Sequence, residues 1–210
     1  MIGTATTLAN TGLVVGGIVG LAALAVPAVW IVVAYNSLRR AQVRAQNAFS
    51  QIDVQLKRRF DLIPSLVETV KGYMQHERAT LEAVIAARAQ AAGALGAVAG
   101  GGAGMMGVAT MGALTNASGA LDGALNRLMG LVERYPDLKA NTNALSLQEE
   151  LASTENRIAF ARQAYNDAVM RLNEGIAVFP TNLVAGFFGI DEMGLFQAEA
   201  GERGPVAVKF

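Results

Sequence analysis

Residues 147–179, LQEELASTENRIAFARQAYNDAVMRLNEGIAVF, decide how this chain folds. Mostly apolar or small side chains recur through this stretch in alternating steps of four and three residues. The repeat consists of Leu147, Leu151, Thr154, Ile158, Ala161, Tyr165, Ala168, Leu172, Gly175 and Phe179. A seven-residue repeat of this length predicts a long helix that buries one seam against other helices. We expect this helix to begin near Asn141 and to end at Pro180.

Weaker helical patterns precede this seam. Apolar residues recur at helical spacing between Leu38 and Leu56, and no glycine or proline interrupts residues 35–61. The sequence DLIP at 61–64 is typical of a helix stop and restart, because aspartate caps a helix and proline is tolerated in a first turn. The patterns then predict a second helix over 65–92 and a third over 117–133.

A turn is predicted at Tyr135–Asp137, since proline disfavours helix in the residue before it. Long apolar stripes without a convincing strand pattern predict an all-α fold. We expect three to four helices of residues 35–179 to form an antiparallel bundle with coiled-coil-like packing.

The N-terminal stretch carries a second strong pattern. Residues 12–33, GLVVGGIVGLAALAVPAVWIVV, are almost wholly apolar, and residues 1–38 contain no Asp, Glu, Lys, Arg or His. A helix of this length rises about 33 Å, enough to cross the hydrocarbon core of a bilayer. We predict a short segment at 1–11 and a retained transmembrane helix at 12–34. The proposed anchor residues include Gly12, Leu13, Val14, Val15, Gly16, Gly20, Leu24, Trp30 and Val33.

Charge follows the apolar stretch immediately and predicts an orientation. Residues 39–60 hold six basic residues and one acidic residue, which is typical of a cytoplasmic flank and suits contact with lipid headgroups. We therefore expect a single-pass protein of the bacterial cytoplasmic membrane with its soluble part in the cytoplasm. The net charge of zero argues against nucleic acid as a partner.

Residues 89–121 are uncharged and rich in glycine and alanine. We interpret 89–120 as a flexible apolar connection, because its glycines make a stable helix costly. A loop that dips into a membrane or packs on a neighbouring subunit, and a full membrane span, are the alternatives. Apolar residues of this connection and of the tail, 180–210, are candidate oligomer or membrane contacts. They are Met105, Met106, Met111, Phe187, Phe188 and Phe196.

No residue pattern predicts catalysis, a cofactor site or a metal site. The chain has no cysteine, its one histidine, His76, lacks a cluster of further ligands, and GGGAG at 100–104 lacks the context of a phosphate-binding loop. Polar residues are nonetheless dense within the predicted helices. Either an internal hydrogen-bond network or a polar subunit interface would account for Gln51, Asp53, Gln55, Asn156, Arg157, Gln163, Tyr165 and Asn166.

Several stretches resemble the LemA family. They are YNSL (35–38), QIDVQLKRRFDLIPSLVETVKGYMQHE (51–77), TLEAV (80–84), YPDLKAN (135–141), LQEELASTENRIAFARQAYNDAV (147–169) and FPTNLVAGFFG (179–189). The resemblance implies a single N-terminal span, a short N-terminus outside, and a cytoplasmic helical bundle. It implies no catalytic residues. The apolar segment 93–120 departs from the shorter, more polar link that the family leads us to expect.

The favoured function is a non-enzymatic scaffold that self-assembles at a membrane. The long seam, the apolar tail and a Gly16–Gly20 pair that would let anchor helices approach closely all favour a homo-oligomer. One alternative is a binding or regulatory module for a membrane protein partner, such as a sensor kinase or protease. Another is membrane remodelling through the 89–120 segment.

Overall fold

The computed structural model describes residues 2–74, 76–100 and 106–196, with side chains from Gly20 onward except those of Ala22 and Lys139. These residues form six helices and no strand, so the predicted all-α fold is confirmed for the described part of the chain. The helices are α1 (Ile2–Lys71), α2 (Arg78–Ala99), α3 (Val108–Val132), α4 (Pro136–Lys139), α5 (Thr142–Ala177) and α6 (Thr181–Phe188).

Helices α1 and α5 form the main packing pair and run antiparallel. Four contacts mark their register: Leu38 with Gly175, Phe49 with Tyr165, Arg59 with Glu155, and Tyr73 with Asn141. At 1.5 Å per residue, the 70 residues of α1 make a rod of about 105 Å. Asn141 caps α5 by accepting hydrogen bonds from the backbone N–H groups of Asn143 and Ala144.

The predicted seam of α5 is largely buried. Leu151, Thr154, Ile158, Tyr165 and Leu172 are buried, and Leu147, Ala161 and Ala168 are partly buried against the same core. Phe179 lies beyond the end of α5 and is 73% exposed, so it is not part of the buried seam.

Helix α1 presents a matching repeat with the same alternation of four and three residues. Its buried members are Leu38, Gln42, Ala45, Phe49, Ile52, Leu56, Arg59, Ile63, Leu66 and Val70.

The helix stop predicted at 61–64 is wrong, because α1 continues through Pro64 to Lys71. A proline inside a helix removes one backbone hydrogen bond, but Phe60, Ile63 and Leu66 around it are buried in the core. Pro64 itself lies on the exposed side of α1. The break comes instead at 72–77, where Gly72 ends the first long helix and α2 begins after Glu77.

The flexible connection expected at 89–120 is mostly helical. Residues 89–99 complete α2, and α3 begins at Val108 rather than near residue 117. Buried side chains recur at helical spacing in both parts, including Leu95 and Val98 on α2 and Met111 and Leu114 on α3. Their burial offsets a cost of about 1 kcal/mol for each glycine in a helix. Met105 lies outside the described residues.

Helices α2 and α3 pack on each other, and α2 also packs on α1, where the Arg88 side chain donates a hydrogen bond to the Phe60 carbonyl oxygen (2.6 Å). By length and composition, α2 is the described helix that could cross a membrane, with one third of the relevant stretch buried inside the protein. The turn predicted at 135–137 comes earlier, at 133–134, because Pro136 and Asp137 already belong to the short helix α4, for which Tyr135 is the N-cap residue.

The backbone of the predicted anchor, residues 12–34, forms part of α1. The side chains of Gly12, Leu13, Val14, Val15 and Gly16 lie outside the described set. Further along, Leu24 is 76% exposed, Val33 61% and Trp30 38%. Ala34 is buried, so burial against the rest of the chain begins at this residue.

Candidate functional site

After its last helix the chain continues as a non-helical segment, residues 190–196, which we call the C-terminal strap. Gly189 adopts a left-handed conformation (φ 63°) that ends α6, and the backbone N–H of Ile190 donates to the Ala185 carbonyl oxygen at 2.9 Å. A residue with a Cβ adopts this conformation reluctantly, which explains glycine at the position. The chain then turns back along α5.

Two asparagines of α5 hold the strap by paired hydrogen bonds. The Asn173 amide donates to the Met193 carbonyl oxygen (2.9 Å) and accepts from the Met193 N–H (3.0 Å). Asn166 makes the same pair with the backbone of Phe196, at 2.9 and 2.8 Å. The asparagines are seven residues apart and so share one face of α5. Each satisfies both backbone polar groups of its strap residue.

Tyr165 connects the strap to the core. Its buried hydroxyl donates to the Gly194 carbonyl oxygen at 2.7 Å, and the Gly194 N–H donates to the Met106 carbonyl oxygen at 2.8 Å. A Cβ on Gly194 would lie 2.8 Å from the Cα of Val108, so the approach to α3 requires glycine. Burial raises the pKa of the Tyr165 phenol and keeps the hydroxyl protonated as a donor.

Some of the polar residues noted within the predicted helices therefore form hydrogen bonds inside the chain. Tyr165 and Asn166 contact the backbone of the strap, which the sequence did not identify as their partner. Asp53 instead accepts from Lys57 on its own helix at 2.8 Å. Asn156 and Gln163 lie on the exposed side of α5.

The six candidate contact residues separate into three groups. Met105 falls outside the described residues. Met106, Met111 and Phe196 are buried within the chain, so the interpretation of these three as surface contacts is wrong for this structure. The Phe196 ring lies under the guanidinium of Arg162, with 4.4 Å between the guanidinium carbon and the ring centroid. Phe187 is 84% exposed and Phe188 45%, so these two lie at the surface.

A second polar centre joins three helices. The Arg59 side chain of α1 is 6% exposed, and its guanidinium contacts Asp122 of α3 at 2.5 Å and Glu155 of α5 at 2.9 Å. Arg59 occupies a position of the buried repeat of α1, where a charge needs partners to be tolerated. The contacts attach the α2–α3 pair to the α1–α5 pair.

A cleft of about 630 Å³ lies beside Arg59, between α3 and α5. Its apolar lining includes Leu125, Met129 and Leu145. Within the part of the chain that the structure describes, no three histidine or acidic side chains converge as a metal site would require. His76 lies exposed in the turn between α1 and α2. Asp122 and Glu155 compensate the buried positive charge of Arg59. This centre therefore holds α1, α3 and α5 in position relative to one another.

The end of the bundle next to residues 21–33 is rich in aromatic and aliphatic side chains. We call it the basal end and define it by residues 34–38 of α1 and 175–190. The Tyr35 and Phe188 rings contact each other with centroids 4.5 Å apart, and Phe187 packs edge-on against Phe188 at 5.0 Å. Helix α6 thus lies against α1 at the point where the burial of α1 begins.

Comparison with known families assigns the chain. The sequence pattern of the LemA family matches residues 48–210. The chain belongs to the LemA family. The matched part contains α5, α6 and the strap, so the seam and the asparagine pairs lie within the region that defines membership.

Individual relatives are similar over different shares of the chain. The chain is 29% identical to Protein LemA of Metamycoplasma hominis over 168 residues, which are 80% of this chain and 71% of the relative. It is 33% identical to Magnetosome protein MamQ 2 of Paramagnetospirillum magneticum over 94 residues, 45% of this chain and 35% of the relative. This LemA family member thus spans about a third of the length of that magnetosome relative.

Proposed function

We propose that this protein is a membrane-anchored, non-enzymatic helical bundle that self-assembles as a scaffold at the bacterial cytoplasmic membrane. The observation that carries the proposal is the change of burial along the continuous helix α1. Leu24, Val26 and Val33 are more than 60% exposed although apolar, whereas Ala34 and Leu38 are buried. An exposed apolar rod that continues into a folded bundle suits a bilayer around its first part.

Self-association is supported by apolar side chains on the outer surface of the bundle. Phe160 of α5 is 74% exposed and Met170 is 52% exposed. On α1, Val54 and Val43 are 56% and 49% exposed. The register of the two helices places Val54 at the height of Phe160, and Val43 at the height of Met170. Two apolar bands around the α1–α5 pair would let copies of the bundle associate side by side.

Insertion is tested with the single tryptophan of the chain, Trp30. The full chain is reconstituted in phosphatidylcholine vesicles that contain lipids brominated at several depths. We expect bromines to quench Trp30 emission, because aromatic residues near the end of a span lie at the interface. Trp30 emission that is unaffected by every brominated lipid would remove the anchor.

Self-assembly is tested by light scattering of the full chain in mild detergent. We expect an oligomeric mass that falls on Phe160→Lys, since a charge in an apolar contact is costly. Val108→Lys is the matched control, because Val108 is also exposed (67%) and lies on α3. A strictly monomeric wild type would contradict the scaffold, and a mass explained by a second protein would favour the regulatory-module alternative.

A further inference from the structure

Beyond Thr181 and Asn182 in its first turn, helix α6 is apolar on both of its faces. Val184 and Ala185 are buried against the bundle, whereas Leu183 and Phe187, one turn apart on another face, are 63% and 84% exposed. Phe179, just before the helix, is 73% exposed. No ionisable side chain occurs in residues 175–190. A helix that faced water would carry polar residues on its outer side, so this outer face is suited to an apolar environment.

The position of α6 identifies that environment. The Phe188 ring contacts the Tyr35 ring of α1 at a tilt of 48°, and Gly175 at the end of α5 lies next to Leu38. Both contacts are within five residues of Val33, the last strongly exposed apolar residue of the proposed anchor. The exposed face of α6 is therefore continuous with the exposed apolar part of α1.

Charge at this end neither drives nor opposes approach to a membrane. Arg39 and Arg40 are exposed directly after the apolar stretch, and Arg44 follows one turn later. Glu174, Asp191 and Glu192 are exposed at the same end of the bundle. The basic and acidic groups at this end balance each other, so we attribute its interaction with a membrane to apolar contact.

We propose that α6 is an interfacial helix that lies in the headgroup–acyl boundary of the bilayer, with Phe187, Leu183 and Phe179 inserted as a second membrane contact beside α1. The inference rests on the proposed anchoring of α1. A bilayer that surrounds residues 21–33 necessarily ends near the height of α6, and a short helix with an uncharged outer face fits that boundary. The contact would fix the bundle against the membrane surface, where α1 alone would leave it free to tilt.

The absence of cysteine makes a site-specific test direct. The full chain carrying Phe187→Cys is labelled with an environment-sensitive fluorophore and reconstituted in phosphatidylcholine vesicles with lipids brominated at graded depths. Leu183→Cys provides a second site on the same face. Phe160→Cys is the matched control: it is an exposed aromatic position on α5, about 22 Å from Gly175 along the helix.

We expect the probes at 187 and 183 to shift to shorter emission wavelengths and to be quenched most by bromines near the glycerol backbone. The probe at 160 should not be quenched by any brominated lipid. Because apolar contact dominates, quenching at 187 should persist at high salt and without anionic lipid.

The outcomes separate the two proposals. Quenched Trp30 with unquenched probes at both 187 and 183 would overturn the interfacial helix and leave the anchor standing. A blue shift at 187 without lipid quenching would mean that protein covers this face, which also overturns the inference. Unquenched Trp30 would overturn the anchor, and the interfacial helix with it.

Discussion

The α1–α5 pair and the α2–α3 pair are both long antiparallel helix pairs, but they are held together by different chemistry. The first buries large side chains such as Phe49, Ile52 and Tyr165 and adds an ion pair between Arg59 of α1 and Glu155 of α5. The second buries aliphatic side chains and alanines, such as Leu95, Leu114 and Ala91, and neither of its helices contains an aromatic residue. A Cβ at Gly93, Gly96 or Gly112 would meet nothing within 4 Å, so these glycines do not bring the helices together. Aromatic packing and a buried ion pair mark the register of the first pair, whereas the second pair is packed through aliphatic side chains and contacts the first through Arg59–Asp122 and Arg88–Phe60.

The largest expected effect tests whether the two pairs unfold as one unit. Ile52→Ala in the first pair and Leu121→Ala in the second each remove a fully buried aliphatic side chain. Each should lower the free energy of unfolding by about 3 kcal/mol, from lost burial and the cavity left behind. Circular dichroism of the full chain in detergent should show both variants shifting one common thermal transition.

Ile85→Ala, at a position of α2 that is 50% exposed, is the control and should change the midpoint little. Two separate transitions, with each variant moving only one, would show that the pairs are independent.

The next largest effect concerns the Arg59 ion pairs, which join the α1–α5 pair to the α2–α3 pair. Arg59→Met keeps apolar length but leaves Asp122 and Glu155 without their guanidinium. Breaking a fully buried pair costs about 3–5 kcal/mol, and the partial exposure of the two carboxylates reduces our expectation to about 2 kcal/mol. Denaturant unfolding of the full chain in detergent measures the loss.

Arg58→Met is the neighbouring control, since the Arg58–Glu150 ion pair is largely exposed. Its cost should stay below about 0.5 kcal/mol. Equal effects of the two substitutions would mean that the Arg59 centre contributes nothing beyond a surface ion pair.

A smaller effect should appear at the strap. Asn166→Ala and Asn173→Ala each remove two part-buried hydrogen bonds and should cost about 1 kcal/mol. Hydrogen exchange gives the specific readout, because the N–H groups of Phe196 and Met193 lose their acceptors and should exchange faster. Asn156→Ala, an exposed position of α5, should leave both amides protected. Unchanged protection in the Asn166 variant would contradict the strap.

The smallest effect is a dependence on pH. The raised pKa of Tyr165 means that the unfolded phenol ionises near pH 10 while the folded phenol keeps its proton. The folded state then binds more protons, so stability falls as pH rises above about 10. Tyr165→Phe should cost about 1 kcal/mol near neutral pH from the lost hydrogen bond. The difference from wild type should shrink at alkaline pH, and a constant difference would contradict this assignment.

Sequence patterns predicted the long seam of α5, its start near Asn141 and its end before Pro180. They succeeded because large apolar residues at seven-residue spacing leave one way for a helix to bury them. They failed at Pro64 and over 89–120, where local residues disfavour helix. In both places the free energy gained by burial against other helices exceeds the cost of placing proline or glycine in a helix. A pattern of neighbouring residues does not contain that contribution from distant helices.

The residues predicted as oligomer or membrane contacts show the same limit of sequence patterns. Met111 and Phe196 are apolar residues of the kind that form contacts, yet both are buried within the chain, Met111 next to Gly194 of the strap and Phe196 against Arg162 of α5. Nothing in the sequence pairs Asn166 with Phe196 or Arg59 with Asp122. These pairs depend on distant segments meeting at hydrogen-bond distance, and side-chain periodicity carries no information about such meetings.

The sequence alone determined that this chain is helical, that one seam dominates its packing and that its apolar residues concentrate near one terminus, because periodicity and hydrophobicity are properties of local composition. The tertiary structure decided that α1 runs unbroken through Pro64, that the strap returns to Asn166 and Asn173, and that α6 lies beside Tyr35. Those features arise from the free energy of packing between residues far apart in the chain, which appears only once the chain has folded.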